Sequence, residues 1–281
     1  MRISKRPLTL RRRSSKATPD FLPEMKILIY NRHFHPSVGG TESSGRIMAK
    51  ELAALGHEII IYTSTPRPNT VRELDEGYKI VRSRSLPRLI KIALMQDVVF
   101  SRGGLSLRAL LASVITRTPL VSFYEMAEQL PVNNSSVKAT MLARLKQYCQ
   151  RMVSLHVCVS DALQSALTLP EGARAFRLYN PISNELWTEK PANFESRQID
   201  VTFIGRVQYS KGVLILGKAL KQISSKRHVR VAIVGDGPAV PELRQMLDDP
   251  SIDSEFFGML SGNDLRKVYA NSRIVVVPSI A

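Results

Sequence analysis

Short runs of β-branched residues alternate with segments of helical length from Lys26 to the end of the chain. Ile27 to Tyr30 and Asp200 to Gly205 are two of the strand-like runs, and the amphipathic segments Thr41 to Leu55 and Lys211 to Ile223 follow them. Strands that read as continuous apolar runs between helices are typical of parallel sheets covered on both faces. The alternation therefore predicts an α/β chain with doubly wound sheets.

Two stretches fall outside this alternation. The first 24 residues carry seven Lys and Arg against two Asp and Glu and have no long apolar run. We expect 1–24 to be a disordered basic extension upstream of a natural start at Met25, and a basic arm that touches nucleic acid or lipid is the alternative. The polar stretch 181–199 predicts a linker between a first domain, 25–180, and a second domain, 200–281.

Composition narrows the possible partners of the chain. The net charge is +16, with 40 Lys and Arg against 24 Asp and Glu, and this excess predicts an anionic partner such as phosphate, nucleic acid or an acidic membrane leaflet. No stretch approaches the roughly 20 apolar residues of a membrane-spanning helix. Cys149 and Cys158 lack ligand spacing, and His33 and His35 lack a third ligand nearby, so neither a disulfide framework nor a metal site is expected.

The most informative stretch, Gly205 to Gly212, joins a predicted strand to a predicted helix. Arg206 comes directly after the strand, and Lys211 lies where the helix is expected to begin. A guanidinium group suits bidentate contact with phosphate oxygens, an ammonium group adds a point charge, and a helix N-terminus offers free N–H groups. These features predict a diphosphate site. The alternative is that both residues are ordinary solvated surface cations.

Two further glycine-rich turns follow predicted strands. Gly235 and Gly237, with Pro238 at an early helical position, form a turn where backbone can approach a ligand closely, and a plain strand-to-helix turn is the alternative. Gly39 and Gly40 mark the first such turn of the first domain, where a phosphate or a sugar could rest against bare backbone. Each signal is weak when taken alone.

The segment from Val137 to Met152 predicts an amphipathic helix. Its apolar stripe consists of Val137, Met141, Leu145, Tyr148 and Met152. Such a stripe either faces the core or lies on an anionic membrane beside basic residues. We prefer the core-facing interpretation.

In order and spacing, these motifs resemble the GT-B glycosyltransferases of family 4, a retaining, nucleotide-sugar-dependent group, from Met25 to Ala281. The resemblance rests on Met25 to Tyr30, Gly39-Gly40, Val157 to Ser160, Asn180-Pro181, Gly205-Arg206, Lys211-Gly212, Gly235 to Pro238, and Ala270 through Ser279. It implies two Rossmann-like doubly wound domains that face a cleft. The donor would be bound mainly by the second domain, and the acceptor by the first.

The resemblance also implies roles for single residues. Arg206 and Lys211 would hold the donor diphosphate and stabilise the charge that grows on it, so that neither a metal ion nor another cofactor is required. The donor site would also include Gly205, Gly235, Gly237 and Pro238.

Residues of the first domain receive implied roles as well. Gly39 and Gly40 would approach the diphosphate and the transferred sugar. Many relatives have a His-Asp pair where this chain has Tyr124-Glu125. Glu125 is therefore our candidate for the residue that aids sugar transfer.

The family carries two glutamates eight positions apart, after a Pro-Ser that corresponds to Pro278-Ser279, and they contact the sugar and the ribose of the donor. This chain ends at Ile280-Ala281, so we expect a truncated, incomplete second domain and a doubtful activity. The first hypothesis is a cytoplasmic glycosyltransferase, peripheral on the inner membrane, that moves sugar from a nucleotide-sugar donor to a glycan or lipid-linked acceptor in surface polysaccharide or glycolipid synthesis.

Two other hypotheses belong to different classes. The chain could be a non-catalytic, anion-binding remnant or subunit that needs a partner chain. It could also be a basic nucleic-acid-binding protein, which we place last because neither an aromatic stacking cluster nor a recognition-helix signature accompanies the charge.

Overall fold

The computed structural model describes residues 23–37, 39–67, 76–125, 137–182 and 193–280. The predicted extension, up to residue 22, and the part of the predicted linker at 183–192 lie outside the described residues. The chain divides into two compact units, Met1–Ile182 and Ser183–Ala281. Each unit has a sheet of its own.

The first unit is built on a parallel sheet. Its strands are β1 (Lys26–Tyr30), β2 (Glu58–Thr63), β3 (Lys79–Arg82), β4 (Val98–Ser101), β5 (Leu120–Tyr124), β6 (Leu155–Cys158) and β7 (Ala175–Arg177). Its helices are α1 (Gly40–Ala54), α2 (Leu86–Ala93), α3 (Leu107–Thr116), α4 (Val137–Cys149) and α5 (Asp161–Ala166). The strand order is β3-β2-β1-β4-β5-β6-β7, so the order reverses between β1 and β4.

Helices cover both faces of this sheet, because successive side chains of a strand point to opposite faces. Ile29 of β1 packs in one cluster with Ala49 of α1. Its neighbour Leu28 packs in another cluster with Leu89 of α2 and Leu110 of α3. The first unit is therefore doubly wound, as its sequence predicts.

The second unit repeats the same plan with four strands. They are β8 (Ile199–Ile204), β9 (Val229–Val234), β10 (Ile252–Gly258) and β11 (Ser272–Val276), and the helices are α6 (Val213–Ser224), α7 (Val240–Leu247) and α8 (Gly262–Asn271). The parallel order is β10-β9-β8-β11, with its reversal between β8 and β11.

The two faces of the second sheet also have separate apolar layers. Ile233 of β9 packs with Leu216 of α6 and Leu243 of α7, whereas Ala232 packs with Val268 of α8 on the other face. The prediction of two Rossmann-like α/β units is confirmed, and the second sheet has four strands.

The structure corrects the prediction for α4. Four residues of its stripe, Met141, Leu145, Tyr148 and Met152, are 66 %, 49 %, 67 % and 48 % exposed, so the core-facing interpretation is wrong for them; the side chain of Val137 lies outside the described residues. Cys149 of α4 packs against the core instead. In the described ranges, every helix is too short or too polar to cross a membrane.

Candidate functional site

The two predicted cations of the second unit lie where its sheet topology favours a ligand. Doubly wound sheets bind ligands beyond the carboxyl ends of their strands, at the point where the strand order reverses. In the second unit this point lies between β8 and β11. The connection from β8 to α6 contains both Arg206 and Lys211.

Both cations are open to solvent. The side chains of Arg206 and Lys211 are exposed, and neither forms a hydrogen bond or an ion pair with any residue in the part of the chain that the structure describes. Lys211 ends a 3₁₀ turn, Tyr209–Lys211, and α6 begins only at Val213, two residues later than predicted. Among the described residues, no side chain caps this end of α6. The loop therefore carries two exposed cationic side chains next to helix N–H groups that lack intrahelical partners.

The glycines of the β8 and β9 turns bring protein backbone close to protein backbone. Gly235 has a φ of +124°, and a Cβ there would lie 1.9 Å from the carbonyl oxygen of Gly205. A Cβ on Gly237 would lie 2.2 Å from the carbonyl oxygen of Val207. Because this space is filled by the neighbouring turn, these glycines hold the two turns together. Pro238 is exposed and precedes α7, which begins at Val240 rather than at the predicted Pro238; contact of this turn with a donor stays a prediction.

Glu125 of the first unit lies in a buried ion pair. It follows β5, its side chain is 6 % exposed, and its carboxylate pairs with the guanidinium of Arg102, which is 1 % exposed. The hydroxyl of Ser44 also donates to the Glu125 carboxylate, at 3.1 Å. Burial lowers the pKa of Arg102, and the Glu125 carboxylate opposes that shift. A role for Glu125 in sugar transfer stays a prediction, and no local pattern in the sequence indicates its partner.

Gly39 and Gly40 lie at the start of α1, and their surroundings differ. A Cβ on Gly39 would lie 2.3 Å from a carboxylate oxygen of Glu42, in the first turn of the same helix, whereas no atom of the described residues lies within 4 Å of a Cβ on Gly40. An acidic side chain near a helix N-terminus is favourable. Glu42 would therefore compete with an anionic ligand at this end of α1, and Gly40 is the more open position.

A cavity of about 760 Å³ opens beyond the carboxyl ends of β1, β2, β3 and β4. Its basic lining residues are Arg32, His33, Arg84, Arg102, Arg108 and Lys146. Aspartate and glutamate are missing from the lining that the structure describes. Sequence analysis missed this site because its residues are spread over more than 100 positions and form no motif.

Metal ligands do not cluster in the described ranges. They contain no group of three or more His, Cys, Asp or Glu side chains that could hold a metal ion. His33 lies in the basic cavity, and Cys158 is buried in the sheet, where burial raises the pKa of its thiol.

Comparison with known proteins agrees with this architecture. Residues 198–281 match the family model described as "Glycosyl transferases group 1". Anabaena Alr3699/HepE in complex with UDP matches with a TM-score of 0.69 at 20 % identity, over 92 % of this chain and 75 % of that chain. A glycosyltransferase from Rickettsia africae matches with a TM-score of 0.67 at 18 % identity, over 92 % and 74 %. The fold is that of the GT-B glycosyltransferases.

A curated relative shows how much of a longer protein the chain represents. A phosphatidylinositol N-acetylglucosaminyltransferase subunit of Arabidopsis thaliana is 20 % identical, over 92 % of this chain and 63 % of that protein. The chain thus spans 63 % of the length of this relative. Donor, acceptor and activity therefore stay proposals.

Proposed function

We propose that this chain is a glycosyltransferase whose second unit binds a nucleotide-sugar donor and whose first unit binds a glycan or lipid-linked acceptor. The observation that carries the proposal is a pair of exposed cations, Arg206 and Lys211, at the strand-order reversal of the second sheet. Neither side chain has a partner, and no side chain caps the start of α6, among the residues that the structure describes. The family match over 198–281 and the UDP in the Anabaena structure support it.

The two cations suit the chemistry of the leaving group. When the bond between the anomeric carbon and the terminal phosphate oxygen of the donor breaks, negative charge grows on the departing nucleoside diphosphate. The Arg206 guanidinium can hold two phosphate oxygens, and Lys211 adds a point charge. Cations fixed in place favour the transition state over the ground state. The acceptor oxygen forms the new bond to the anomeric carbon, and its proton passes to the departing diphosphate. We propose that this chemistry needs no metal ion or other cofactor.

In the first unit, we propose that Gly40 and Gly39 present their backbone to the donor. We also propose that Glu125 acts indirectly, through Arg102. Because the Glu125 carboxylate is buried against Arg102, it would orient the Arg102 guanidinium, which lines the basic cavity. Glu125 is then a positioning residue for the acceptor site.

The test is the release of nucleoside diphosphate from a panel of nucleotide sugars in the presence of glycan and lipid acceptors. Arg206→Ala and Lys211→Ala should each lower kcat/KM, by a factor that corresponds to a loss of about 2 to 4 kcal/mol of transition-state stabilisation. EDTA should leave kcat/KM unchanged. Arg227→Ala is the matched control. This exposed arginine precedes β9 and therefore lies at the amino ends of the strands, whereas Arg206 and Lys211 lie beyond a carboxyl end. Turnover that persists in both site variants would contradict the proposal.

The second candidate is a non-catalytic, anion-binding subunit that needs a partner chain. The Arabidopsis relative is itself named a subunit, which favours this candidate. Saturable binding of a nucleoside diphosphate without turnover, followed by turnover once a partner chain is added, would support it over the first.

We also propose a peripheral contact between α4 and an anionic membrane on its cytoplasmic face, in surface polysaccharide or glycolipid synthesis. The exposed stripe Met141, Leu145, Tyr148 and Met152 lies among the exposed cations Arg144 and Arg151. Apolar residues flanked by cations suit the boundary between acyl chains and anionic headgroups.

Co-sedimentation with vesicles tests the membrane contact. Leu145→Asp should reduce binding to vesicles that contain phosphatidylglycerol, whereas Leu94→Asp, at an equally apolar exposed position at the end of α2, should not. Equal binding of both variants would rule out α4 as the contact.

A further inference from the structure

The basic cavity of the first unit concentrates positive charge at one edge of one sheet. Arg32 and His33 follow β1, Arg84 follows β3, and Arg102 follows β4. Arg108 in the first turn of α3 and Lys146 of α4 complete the basic lining. Because the carboxyl ends of adjacent parallel strands meet at one edge, residues that are far apart in sequence converge there.

Part of this charge has no counter-charge in the described chain. Arg102 is neutralised by Glu125. Arg32 and Arg84 are exposed, and their guanidinium groups have no hydrogen-bond or ion-pair partner in the ranges that the structure describes. Arg108 donates from Nη2 to the carbonyl oxygen of Arg84, while its buried Nε has no partner in those ranges.

The cavity wall also includes the start of a helix. Gly103 and Gly104 take left-handed φ values of +73° and +95° between β4 and α3, and both line the cavity with Ser106 and Leu107. The hydroxyl of Ser106 caps α3 by accepting from the N–H of Ala109. Leu107 and Arg108, the first residues of this ten-residue helix, thus line the same cavity as the cations, and the first N–H groups of a helix lack intrahelical partners.

We infer that this cavity binds a phosphate group carried by the acceptor, so that the acceptor is a phosphate ester rather than a neutral sugar. Arg32, Arg84 and Arg108 line one cavity without a carboxylate partner in the described chain. Like charges repel one another, and a phosphate relieves this repulsion through charge-assisted, bidentate hydrogen bonds. The volume of about 760 Å³ is that of a site for a small molecule, and it leaves room for the rest of the acceptor. Calling the ligand an acceptor rests on the proposed function; the phosphate binding itself does not.

Isothermal titration of the full chain with glycerol 3-phosphate tests the inference. The variant Arg32→Gln/Arg84→Gln should bind this probe at least about tenfold more weakly, because two charged hydrogen-bond donors are lost. The control Arg88→Gln/Arg227→Gln removes the same net charge from exposed arginines that do not line the cavity, and it should bind as the wild type does. Circular dichroism checks that each variant is folded.

Vesicles distinguish the two sources of such a phosphate. If the acceptor is a lipid, wild-type protein should bind phosphatidylcholine vesicles that contain phosphatidic acid more than pure phosphatidylcholine vesicles, and the cavity variant should lose this difference. If it is a soluble phosphate ester, only the glycerol 3-phosphate affinity should change. Either result supports a phosphate site.

Two outcomes would overturn the inference: unchanged affinity for glycerol 3-phosphate in the cavity variant, or an equal loss in the control variant, which would show that total charge decides. Titration with UDP, GDP and ADP keeps the donor site separate. Failure of UDP, GDP and ADP alike to bind wild-type protein counts against the proposed function alone, whereas binding of one of them without cavity-dependent phosphate binding counts against this inference alone.

Discussion

Arg102 and Arg206 each follow a strand that borders the point where the order of a sheet reverses, β4 in the first unit and β8 in the second. The side chain of Arg102 is 1 % exposed and pairs with Glu125. Arg206 is exposed and has no side-chain partner in the described part of the chain. The same residue type at the same topological feature thus has two environments.

This difference separates a cation whose orientation and charge are set by a fixed carboxylate from one whose full charge is open to an external anion. A buried arginine needs a fixed carboxylate, because desolvation of an unpaired charge is costly. Its orientation is then set and its charge is largely neutralised. An exposed, unpaired arginine keeps its charge and its hydrogen-bond donors for an external anion. The sheet topology therefore determines where a ligand can bind, and the neighbouring carboxylates determine whether an arginine at that position can bind an external anion.

The largest effect is expected from Glu125→Ala. It would leave the buried Arg102 guanidinium unpaired, and removing one partner of a buried ion pair costs about 3 to 5 kcal/mol of unfolding free energy. Urea unfolding measures this loss. Arg206→Ala should change the unfolding free energy by less than about 0.5 kcal/mol, because it is an exposed, unpaired site. Similar losses for both variants would remove the contrast between the two arginines.

Gly235→Ala should be the next most harmful change. The φ of +124° is strained for alanine, and its Cβ would lie 1.9 Å from the Gly205 carbonyl oxygen, so a cost of about 2 to 4 kcal/mol is expected. Gly40→Ala is the matched variant, because its Cβ would meet nothing within 4 Å, and alanine should stabilise α1 by up to about 1 kcal/mol. Thermal unfolding that ranks the two variants in the other order would contradict the packing of the β8 and β9 turns.

The ion pair between Arg46 and Glu76 is less buried than the pair between Arg102 and Glu125. Breaking it should have the smallest effect on the unfolding free energy. The Arg46 Nε lies 2.9 Å from a Glu76 carboxylate oxygen, and this hydrogen bond lowers the pKa of Glu76 against the opposing effect of burial. Since the folded-state pKa lies below the unfolded value of about 4.3, the stabilisation is present above that pH and is lost as the pH falls through the folded-state pKa.

Glu76→Gln should remove this part of the acid dependence. The Arg46 side chain is 38 % exposed, so solvent screening keeps the change below about 1 kcal/mol. The measurement is the difference in unfolding free energy between wild type and variant from pH 7 to pH 3. A difference that grows as the pH falls would mean that the pKa shift has the opposite sign.

The arrangement of helices on both faces of each sheet could be predicted from the sequence, because the spacing of apolar residues along the chain shows directly which side chains are buried. Local residues were enough to place β1, β8 and β9 and to locate Arg206 and Lys211 on one loop, since a strand end and a helix start are both visible in them. The strands β3 and β7 were missed, and they are only 4 and 3 residues long. Edge strands this short have too few residues to show the two-residue alternation of apolar and polar side chains by which a strand is recognised.

Other features depend on contacts that no local pattern records. The helix α2 was missed, although Ser85 accepts from the N–H of Arg88 and Pro87 lies in the first turn, two start signals that could have identified it. The stripe of α4 was recognised, but its period does not say which side meets the sheet. The Arg102–Glu125 pair and the basic cavity join distant segments, so only the fold brings them together.

The decisive measurement is isothermal titration of the full chain with UDP, GDP and ADP. We expect saturable binding of at least one nucleoside diphosphate, weakened at least about tenfold by Arg206→Ala and by Lys211→Ala and unchanged by the controls Arg227→Ala and Lys226→Ala. Binding that is indifferent to Arg206 and Lys211 would show that the diphosphate is held elsewhere. That result, or the absence of binding by folded protein, would contradict the assignment of the second unit as the donor site.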